Sequence, residues 1–362
     1  MPRIQNLQAL RAYSAVSVAI LHIGTVRGVT LLGGAGVSLF FLISGFVMAQ
    51  VSQTESVPEF VRKRLVRIAP LYWVLTLAAF ALAKNGLFLD HAWSHSTSGS
   101  YLLKSLLFFP ANPILFVGWT LVLEVVFYGV VALGIFFAGN KAPLFAGAVV
   151  PLVVCWATLA HGPTLYQQSI IFAFVVGVCF YYVYRHLPTH LSPIATRLLL
   201  LLAALCVPWL VFAEHRGDHI AGAHSNFWVV PPVILLMMSA LTLARAGWDL
   251  RLKSIIILGD ASYMLYLLHP FLETAFRLLT ERFVPTLAPR ASVMGAFSSL
   301  LIAIFVSVGV HLYIEKPFLR WSNAASIALG RKLETLCRRL STLGALPAIG
   351  PTKGKKVYFR QT

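Results

Sequence analysis

Long apolar segments separated by short polar connections run through most of the sequence. Ten of these segments have about the 20 residues that an α-helix needs to cross a bilayer. They are residues 7–26, 33–51, 66–84, 118–138, 142–160, 165–184, 196–213, 227–246, 255–279 and 291–314. The pattern predicts an all-α protein, a polytopic membrane bundle of about ten transmembrane helices.

The composition favours a membrane protein, because 58% of the 362 residues are hydrophobic and only 11% are charged. The net charge of +17 comes mainly from lysines and arginines in alternate connections and after the last segment. Such connections stay on the cytoplasmic side of a membrane, so both termini are predicted to be cytoplasmic. We divide the chain into a transmembrane domain, 1–321, and a basic cytoplasmic tail, 322–362. Because the charges lie in loops, we expect no nucleic-acid partner.

The four cysteines form no CxxC pair and no Cys/His cluster. We therefore expect neither structural disulfides nor a metal site. The longest non-cytoplasmic connection, residues 84–118, is too short for a catalytic domain, although residues 101–109 are predicted to form an interfacial helix. Any chemistry is therefore expected in a cavity within the helix bundle.

The first apolar segment carries one arginine, Arg11, and one histidine, His22. A charge within hydrocarbon costs about 2.5–3.5 kcal/mol, so such residues are candidates for function. Their spacing places both on one face of a helix, about 16 Å apart along its axis. The pair indicates a buried site with a permanent cation at one end and a titratable base at the other. The alternative is a snorkelling arginine and, separately, a packed core histidine.

Arg64 and Arg67 lie on one helical face at the cytoplasmic end of the third segment. Two neighbouring guanidinium groups suit a phosphate-bearing ligand, because each planar fork binds a pair of oxygens. Arg11 belongs to the same membrane face and favours a shared anion site. The alternative is a topological signal that contacts anionic lipid headgroups.

Glu124 lies inside the fourth segment, where a lone carboxylate needs a partner. The available partners are His22 and Arg11, and pairing with Glu124 would orient the imidazole of His22 and favour its charged form. A structural ion pair that locks two helices together is the alternative.

Near the start of the ninth segment, three polar side chains share one face of a helix. They are Ser262, Tyr266 and His269, at positions i, i+4 and i+7. A row of hydroxyl groups and an imidazole favours the lining of an acceptor pocket. The alternative is that these groups only satisfy each other between helices. The candidate residues for this pocket are Ser262, Tyr263, Tyr266, His269 and Trp119.

Several motifs together resemble the acyltransferase 3 family of integral membrane acyltransferases, which O-acylate bacterial surface and exported carbohydrates. They recur in order from Leu7 to about Trp321, and jointly they are highly specific. The motifs are R-x10-H at Arg11 and His22, FFxxSGF at Phe40 to Phe46, RxxR at Arg64 and Arg67, WTLxxE at Trp119 to Glu124, SYxLYLLHP at Ser262 to Pro270, and EKP at Glu315 to Pro317. The chain looks most like the short exopolysaccharide and nodulation-factor acetyltransferases of that family.

The resemblance implies acetyl-CoA as the acyl donor, docked from the cytoplasm with its phosphates on Arg64, Arg67 and Arg11. The pantetheine arm would reach toward His22, the catalytic base for the acceptor hydroxyl, and Glu124 would orient that base. The chain departs from the family pattern where Gln8 replaces the acid of many relatives. No SGNH-type hydrolase-like domain follows the last segment, so hand-off of the acyl group to such a domain is not expected.

We therefore expect an O-acetyltransferase of the bacterial inner membrane that acts on a glycan or a lipid-linked sugar. The alternatives within the enzyme class are a longer acyl chain or another hydroxylated acceptor. A proton-coupled transporter or exporter of a glycan is a different class, in which Arg11, His22 and Glu124 would form a proton relay. The absence of a visible repeat counts weakly against a transporter. A structural membrane subunit leaves the polar stripe unexplained.

Overall fold

In the computed structural model, all regular structure in the described part of the chain is helical. The structure describes residues 3–27, 35–86, 98–109, 113–161, 165–217, 225–284, 293–325 and 328. The α-helices in these ranges are α1 (Gln5–Arg27), α2 (Ala35–Val51), α3 (Val57–Lys84), α4 (Gly99–Leu106), α5 (Trp119–Ala138), α6 (Ala142–His161), α7 (Leu165–Tyr184), α8 (Pro193–Gly217), α9 (Ser225–Arg245), α10 (Lys253–Asp260), α11 (Ser262–Phe283) and α12 (Val293–Val310). For the described residues, the predicted all-α fold class is confirmed.

Each of the ten predicted apolar segments coincides with helical structure. The ninth segment is divided, because α10 and α11 meet at an angle of 70°. By length and composition, four described helical segments are suited to cross a membrane, or five if the bent pair forms one span. The four are Val57–Lys84, Phe116–Trp156, Pro193–Leu210 and Val293–Ala325. The count of ten spans and the cytoplasmic side of both termini stay predictions.

The chain divides into two units by its internal contacts, Met1–Glu315 and Lys316–Thr362. The first unit contains α1 to α12 and all the candidate site residues. In the second unit, residues 316–325 are helical, and the predicted basic tail lies mostly outside the described residues. The predicted domain division at residue 321 stays a prediction.

Two glycines allow α2 and α7 to approach closely. A β-carbon on Gly45 would lie 2.1 Å from the backbone oxygen of Phe174, and one on Gly177 would lie 2.1 Å from that of Leu42. Because no side chain fits at such a separation, backbone packs directly against backbone. Beside this contact, the rings of Phe41 and Phe174 stack with centroids 4.3 Å apart. The two helices thus meet within the largest apolar core of the described residues.

The start of α1 is bonded to the connection between α9 and α10. The carboxylate of Asp249 accepts hydrogen bonds from the backbone N–H groups of Gln5 and Asn6, at 2.9 and 2.7 Å. It thereby satisfies two donors that a helix N-terminus leaves without partners, and it lies favourably in the helix dipole. The Asn6 side chain donates to the Trp248 carbonyl and accepts from the Leu250 N–H. These bonds fix the first turn of the helix that carries Arg11 and His22.

The short helix α4 lies against the middle of α3 and covers most of the stretch predicted as an interfacial helix. Tyr72 donates a hydrogen bond to the Ser105 carbonyl at 3.0 Å, and Trp73 donates to the Leu106 carbonyl at 2.8 Å. Phe108 follows with a φ of 59°, at a helix end where glycine is usual. Its ring stacks on Tyr72 with centroids 4.6 Å apart, and this contact offsets the cost of the backbone conformation.

The helix α12 leads into a π-helical turn, His311–Glu315. The His311 imidazole and the Glu315 carboxylate form a 2.6 Å hydrogen bond, and both side chains are buried. Single π-helical turns inside helices occur frequently at functional sites.

Candidate active site

Arg11 and His22 both lie beside α11, but in different surroundings. Arg11 lines a cavity between α1, α2, α3, α5 and α11, which we call the cation cavity. His22 instead contacts His269, and we call these two residues the histidine pair. About 16 Å of helix separates Arg11 from His22, so the candidate site has two parts at two depths of the bundle.

The cation cavity has a volume of about 110 Å³ and combines two arginines with one carboxylate in a mostly apolar wall. The arginines are Arg11 of α1 and Arg67 of α3, and the carboxylate is Glu124 of α5. Within the described ranges, neither arginine forms a salt bridge. Two guanidinium groups without a directly bonded counter-ion favour the binding of an anion such as a phosphate.

Two hydroxyl groups hold Glu124 on the wall of the cation cavity. Ser44 of α2 donates a hydrogen bond to the Oε1 atom of Glu124 at 3.1 Å. Tyr128, one turn further along α5, donates to the same oxygen. Glu124 lines the same cavity as Arg11 and Arg67, so its negative charge offsets part of theirs. The carboxylate therefore reduces the positive potential of the cavity without closing a salt bridge to either arginine.

Two tyrosines of α11 line the cation cavity, and one of them, Tyr266, also packs against His269 of the histidine pair. Tyr263 donates to the Ile68 carbonyl at 2.8 Å, and Tyr266 donates to the Val117 carbonyl at 2.7 Å. The hydroxyl of Thr120 lies 2.7 Å from that of Tyr266. Because both phenol groups are bonded to backbone carbonyls, their rings have fixed positions along the wall.

Ser262, the first residue of α11, lines the cation cavity and is completely buried. Its hydroxyl has no hydrogen-bond partner among the described residues. A buried hydroxyl without a partner loses stabilising free energy, so such a group is usually completed by a ligand or by water. Ser262 is therefore available to a polar group of a molecule in the cavity.

The histidine pair forms an in-plane hydrogen bond. The Nδ1 atom of His22 lies 2.8 Å from the Nε2 atom of His269, and the rings are within 2° of parallel. Their centroids are 5.0 Å apart, which fits an N–H···N bond between coplanar rings and is too long for face-to-face stacking. His269 is completely buried, and its Nδ1 atom lies 3.0 Å from the Leu265 carbonyl oxygen. The ring of Phe116 packs edge-on against His22 at 5.0 Å.

The structure gives His22 and Glu124 different hydrogen-bond partners from the predicted ones. We expected Glu124 to orient His22, but in the described residues Glu124 bonds to Ser44 and Tyr128, and His22 bonds to His269. The physical reason is depth. Glu124 is level with Arg11, about three helical turns away from His22, so the carboxylate does not reach the imidazole.

Arg64 and Arg67 also separate, although three residues apart. Arg67 faces the cation cavity, whereas Arg64 donates to Glu55 at 2.6 Å and lies 4.4 Å above the ring of Phe60. Arg64 lines a neighbouring apolar pocket that shares Ile68 and Tyr128 with the cation cavity. The structure therefore groups Arg11 with Arg67, and Arg64 with an acidic partner.

Of the five candidates for an acceptor pocket, three line the cation cavity: Ser262, Tyr263 and Tyr266. His269 belongs to the histidine pair, and Trp119 packs against the largest apolar core at the start of α5. Sequence reasoning missed the partners of the charged residues, which are Ser44, Tyr128 and Glu55. The spacing of Glu124 and Tyr128, four residues apart on one helix, is a signal that would have found the tyrosine.

Comparison with known proteins shows the family to which this chain belongs. A family model described as an acyltransferase domain matches residues 4–312. The exopolysaccharide production protein ExoZ of Rhizobium meliloti (strain 1021) is 29% identical over 321 residues, which cover 83% of this chain and 93% of that protein. No solved structure matches the chain.

Two further relatives match about a third of the chain. The acyltransferase MdmB of Streptomyces mycarofaciens is 33% identical over 148 residues, 35% of this chain and 38% of that protein. The putative acetyltransferase ORF330 of Acidianus two-tailed virus is 33% identical over 128 residues, 34% of this chain and 37% of that protein. Because the family match extends over most of the sequence and over both parts of the site, this membrane protein belongs to the acyltransferase 3 family.

Proposed function

We propose that this protein is an O-acetyltransferase that moves an acetyl group from acetyl-CoA to a hydroxyl group of an exported polysaccharide or a lipid-linked sugar. The observation that carries the proposal is the arrangement along α1. Arg11 lies in a cavity with a second arginine, and His22 lies about three turns away, beside the same wall of α11. A donor with anionic phosphates at one end and a thioester at the other fits this arrangement.

The cation cavity is the proposed site for phosphate groups of the donor. Arg11 and Arg67 supply planar forks that bind pairs of phosphate oxygens, and Ser262 offers a hydroxyl without a described partner. The basic residues around the start of α3 would attract the anionic donor from the cytoplasm. Arg64 contributes to that attraction, while its bond to Glu55 holds it away from the cavity.

His22 is the proposed catalytic base. It removes the proton from the acceptor hydroxyl, and the oxygen attacks the thioester carbonyl carbon of the donor. The carbon–sulfur bond breaks, an ester forms on the acceptor, and the proton on His22 passes to the sulfur to give free coenzyme A. An imidazole suits both steps, because its ordinary pKa of about 6.5 lets it accept and return a proton near neutral pH.

The names of the relatives support a carbohydrate acceptor. ExoZ is described as an exopolysaccharide production protein, and its match covers most of both chains. The name of the viral relative, a putative acetyltransferase, supports an acetyl group as the cargo. A protein with several membrane-suited helices would meet such an acceptor at the bacterial inner membrane, either as a growing polysaccharide or as a lipid-linked sugar.

The test combines two measurements. Purified protein in lipid nanodiscs is expected to release coenzyme A from acetyl-CoA only when polysaccharide extracted from cells lacking the protein is added. Mass spectrometry of surface polysaccharide is expected to show acetyl esters in cells with the protein and none at the same positions without it. Unchanged acetylation together with no release of coenzyme A would overturn the proposed function.

A further inference from the structure

We infer that His269 is a positioning residue, which holds His22 in the tautomer with an unprotonated Nε2 atom. The inference rests on the proposed function only in making that bare nitrogen the base. Its starting point is a chain of hydrogen bonds that runs from a backbone carbonyl through one imidazole to the other.

The first link fixes the proton on His269. Its Nδ1 atom lies 3.0 Å from the carbonyl oxygen of Leu265, and a carbonyl oxygen only accepts hydrogen bonds. The carbonyl acceptor beside Nδ1 therefore requires a proton on that nitrogen of His269.

The second link fixes the proton on His22. A neutral imidazole with a proton on Nδ1 has a lone pair on Nε2. The neutral form is the one that complete burial of His269 favours, because an imidazolium ion there would lose its hydration. The lone pair of His269 faces Nδ1 of His22 at 2.8 Å in the plane of both rings, so Nδ1 of His22 is the donor.

The third link leaves Nε2 of His22 as the free base. No hydrogen bond from a described residue reaches this atom, and His22 is only partly buried, whereas His269 is completely buried. The ring of Phe116 packs nearly perpendicular to the His22 ring and restricts its rotation. A histidine whose second nitrogen is tied to a fixed acceptor keeps both its tautomer and its orientation, which is what a general base requires.

The direct test is nitrogen NMR of the full-length protein in nanodiscs with labelled imidazole rings and no substrate. The His22 signals are identified by their loss in a His22→Gln variant. We expect a protonated Nδ1 and a bare Nε2 on His22, and the same tautomer on His269. A protonated Nε2 on His22 in the parent protein would overturn the inference, whatever the activity of the protein.

Two substitutions separate positioning from packing. His269→Leu keeps an apolar side chain in the buried site but removes the acceptor, so His22 should lose the fixed tautomer and kcat should fall about 10²–10⁴-fold. His269→Gln places an amide oxygen near the former Nε2 atom, so it should keep the His22 tautomer and recover at least tenfold of that loss. Neither should change the dissociation constant of acetyl-CoA, because the cation cavity lies at another depth, and retained binding shows that the variant is folded.

Equal kcat values for the two variants, or an unchanged His22 tautomer in His269→Leu, would contradict the inference. If the tautomers are as expected but the parent protein transfers no acetyl group, the proposed function fails and the hydrogen-bond chain stands. The NMR measurement therefore tests the inference, and the transfer assay tests the proposed function separately.

Discussion

Arg64 donates a 2.6 Å hydrogen bond to Glu55, and both side chains are about nine-tenths buried. The same carboxylate accepts from Lys63 at 2.9 Å. Glu55 therefore satisfies two of the basic residues that precede the third apolar segment. Arg67, on the same helix, faces the cation cavity and makes no salt bridge within the described residues. Two arginines of one RxxR motif thus have different tasks, which leads to the first prediction.

Replacing Arg67 by Gln should weaken acetyl-CoA binding at least tenfold. A charge-assisted hydrogen bond contributes about 1.5–3 kcal/mol, and about 1.4 kcal/mol corresponds to a factor of ten. The matched control is Arg64→Gln, which should lower thermal stability more than donor affinity, because it breaks the bond to Glu55. Calorimetric titration with coenzyme A measures the donor affinity of both variants, and thermal unfolding measures their stability. Equal affinity of Arg67→Gln and the parent would remove Arg67 from the donor site.

Replacing His22 by Ala should lower kcat by about 10²–10⁴-fold while acetyl-CoA binding and membrane insertion persist. The reason is that His22 lies outside the cation cavity, so its loss removes the base but not the donor site. The matched control is His190→Ala, at an exposed histidine between α7 and α8. Transfer rates are measured as release of coenzyme A in the presence of acceptor. A His22→Ala protein with nearly the parental rate would end the proposed mechanism.

Replacing Glu124 by Gln should keep the fold and reduce catalysis less than His22→Ala does. The amide oxygen still accepts from Ser44 and Tyr128, but the negative charge beside Arg11 is lost. Because the cavity becomes more positive, the affinity for coenzyme A should rise or stay unchanged while product release slows. Binding and single-turnover measurements separate these effects. A loss of transfer as large as that of His22→Ala, with normal binding, would instead support a direct role of the carboxylate with the base.

Replacing Gly259 by Ala should destabilise the protein by about 1–3 kcal/mol or more, because overpacking shifts backbone. The added β-carbon would lie 2.1 Å from the backbone oxygen of Gln8, so α10 would have to move away from α1. The matched control is Gly147→Ala in α6, where a β-carbon meets nothing within 4 Å. That control should be neutral or stabilise by up to about 1 kcal/mol. Thermal unfolding in detergent compares the two; similar midpoints would contradict the close helix contact.

Fusions to a reporter that is active only outside the cytoplasm test the orientation. The distribution of lysines and arginines predicts activity for a fusion near Ser98 and silence for a fusion at Thr362. A fusion at Lys141, in the connection between α5 and α6, should also be silent. The reverse pattern would overturn the predicted topology and, with it, entry of the donor from the cytoplasm.

The helices of this protein are largely predictable, because the length and continuity of the apolar segments decide where a membrane-suited helix forms. The 70° bend between α10 and α11 is not predictable in the same way. At the bend, Asp260 at the end of α10 pairs with Arg3 ahead of α1, and the backbone of Gly259 packs against that of Gln8. The hydrophobic pattern along the sequence does not predict contacts between residues that are so far apart in the chain.

The site is predictable by face but not by depth. Helical periodicity correctly relates Arg11 and His22 to one neighbouring helix, because 3.6 residues per turn fix the direction of each side chain. The depth of a side chain in the bundle depends on where its helix begins relative to the neighbouring helices. This depth decides whether Glu124 shares a cavity with Arg11 or contacts His22. The same difficulty hides the bond between Arg64 and Glu55, because the chain turns between α2 and α3 before they meet.

Arg11 and His22 belong to one continuous helix whose first turn is bonded to Asp249. Their separation is therefore independent of how the bundle rearranges, since any movement of α1 carries both residues together. Inserting one residue between them would turn His22 away by about 100° and shift it by about 1.5 Å. With a donor anchored at Arg11, only a thioester at one distance from its phosphates meets His22. The protein would then select its donor by the length of the carrier arm, before the identity of the acyl group has any influence.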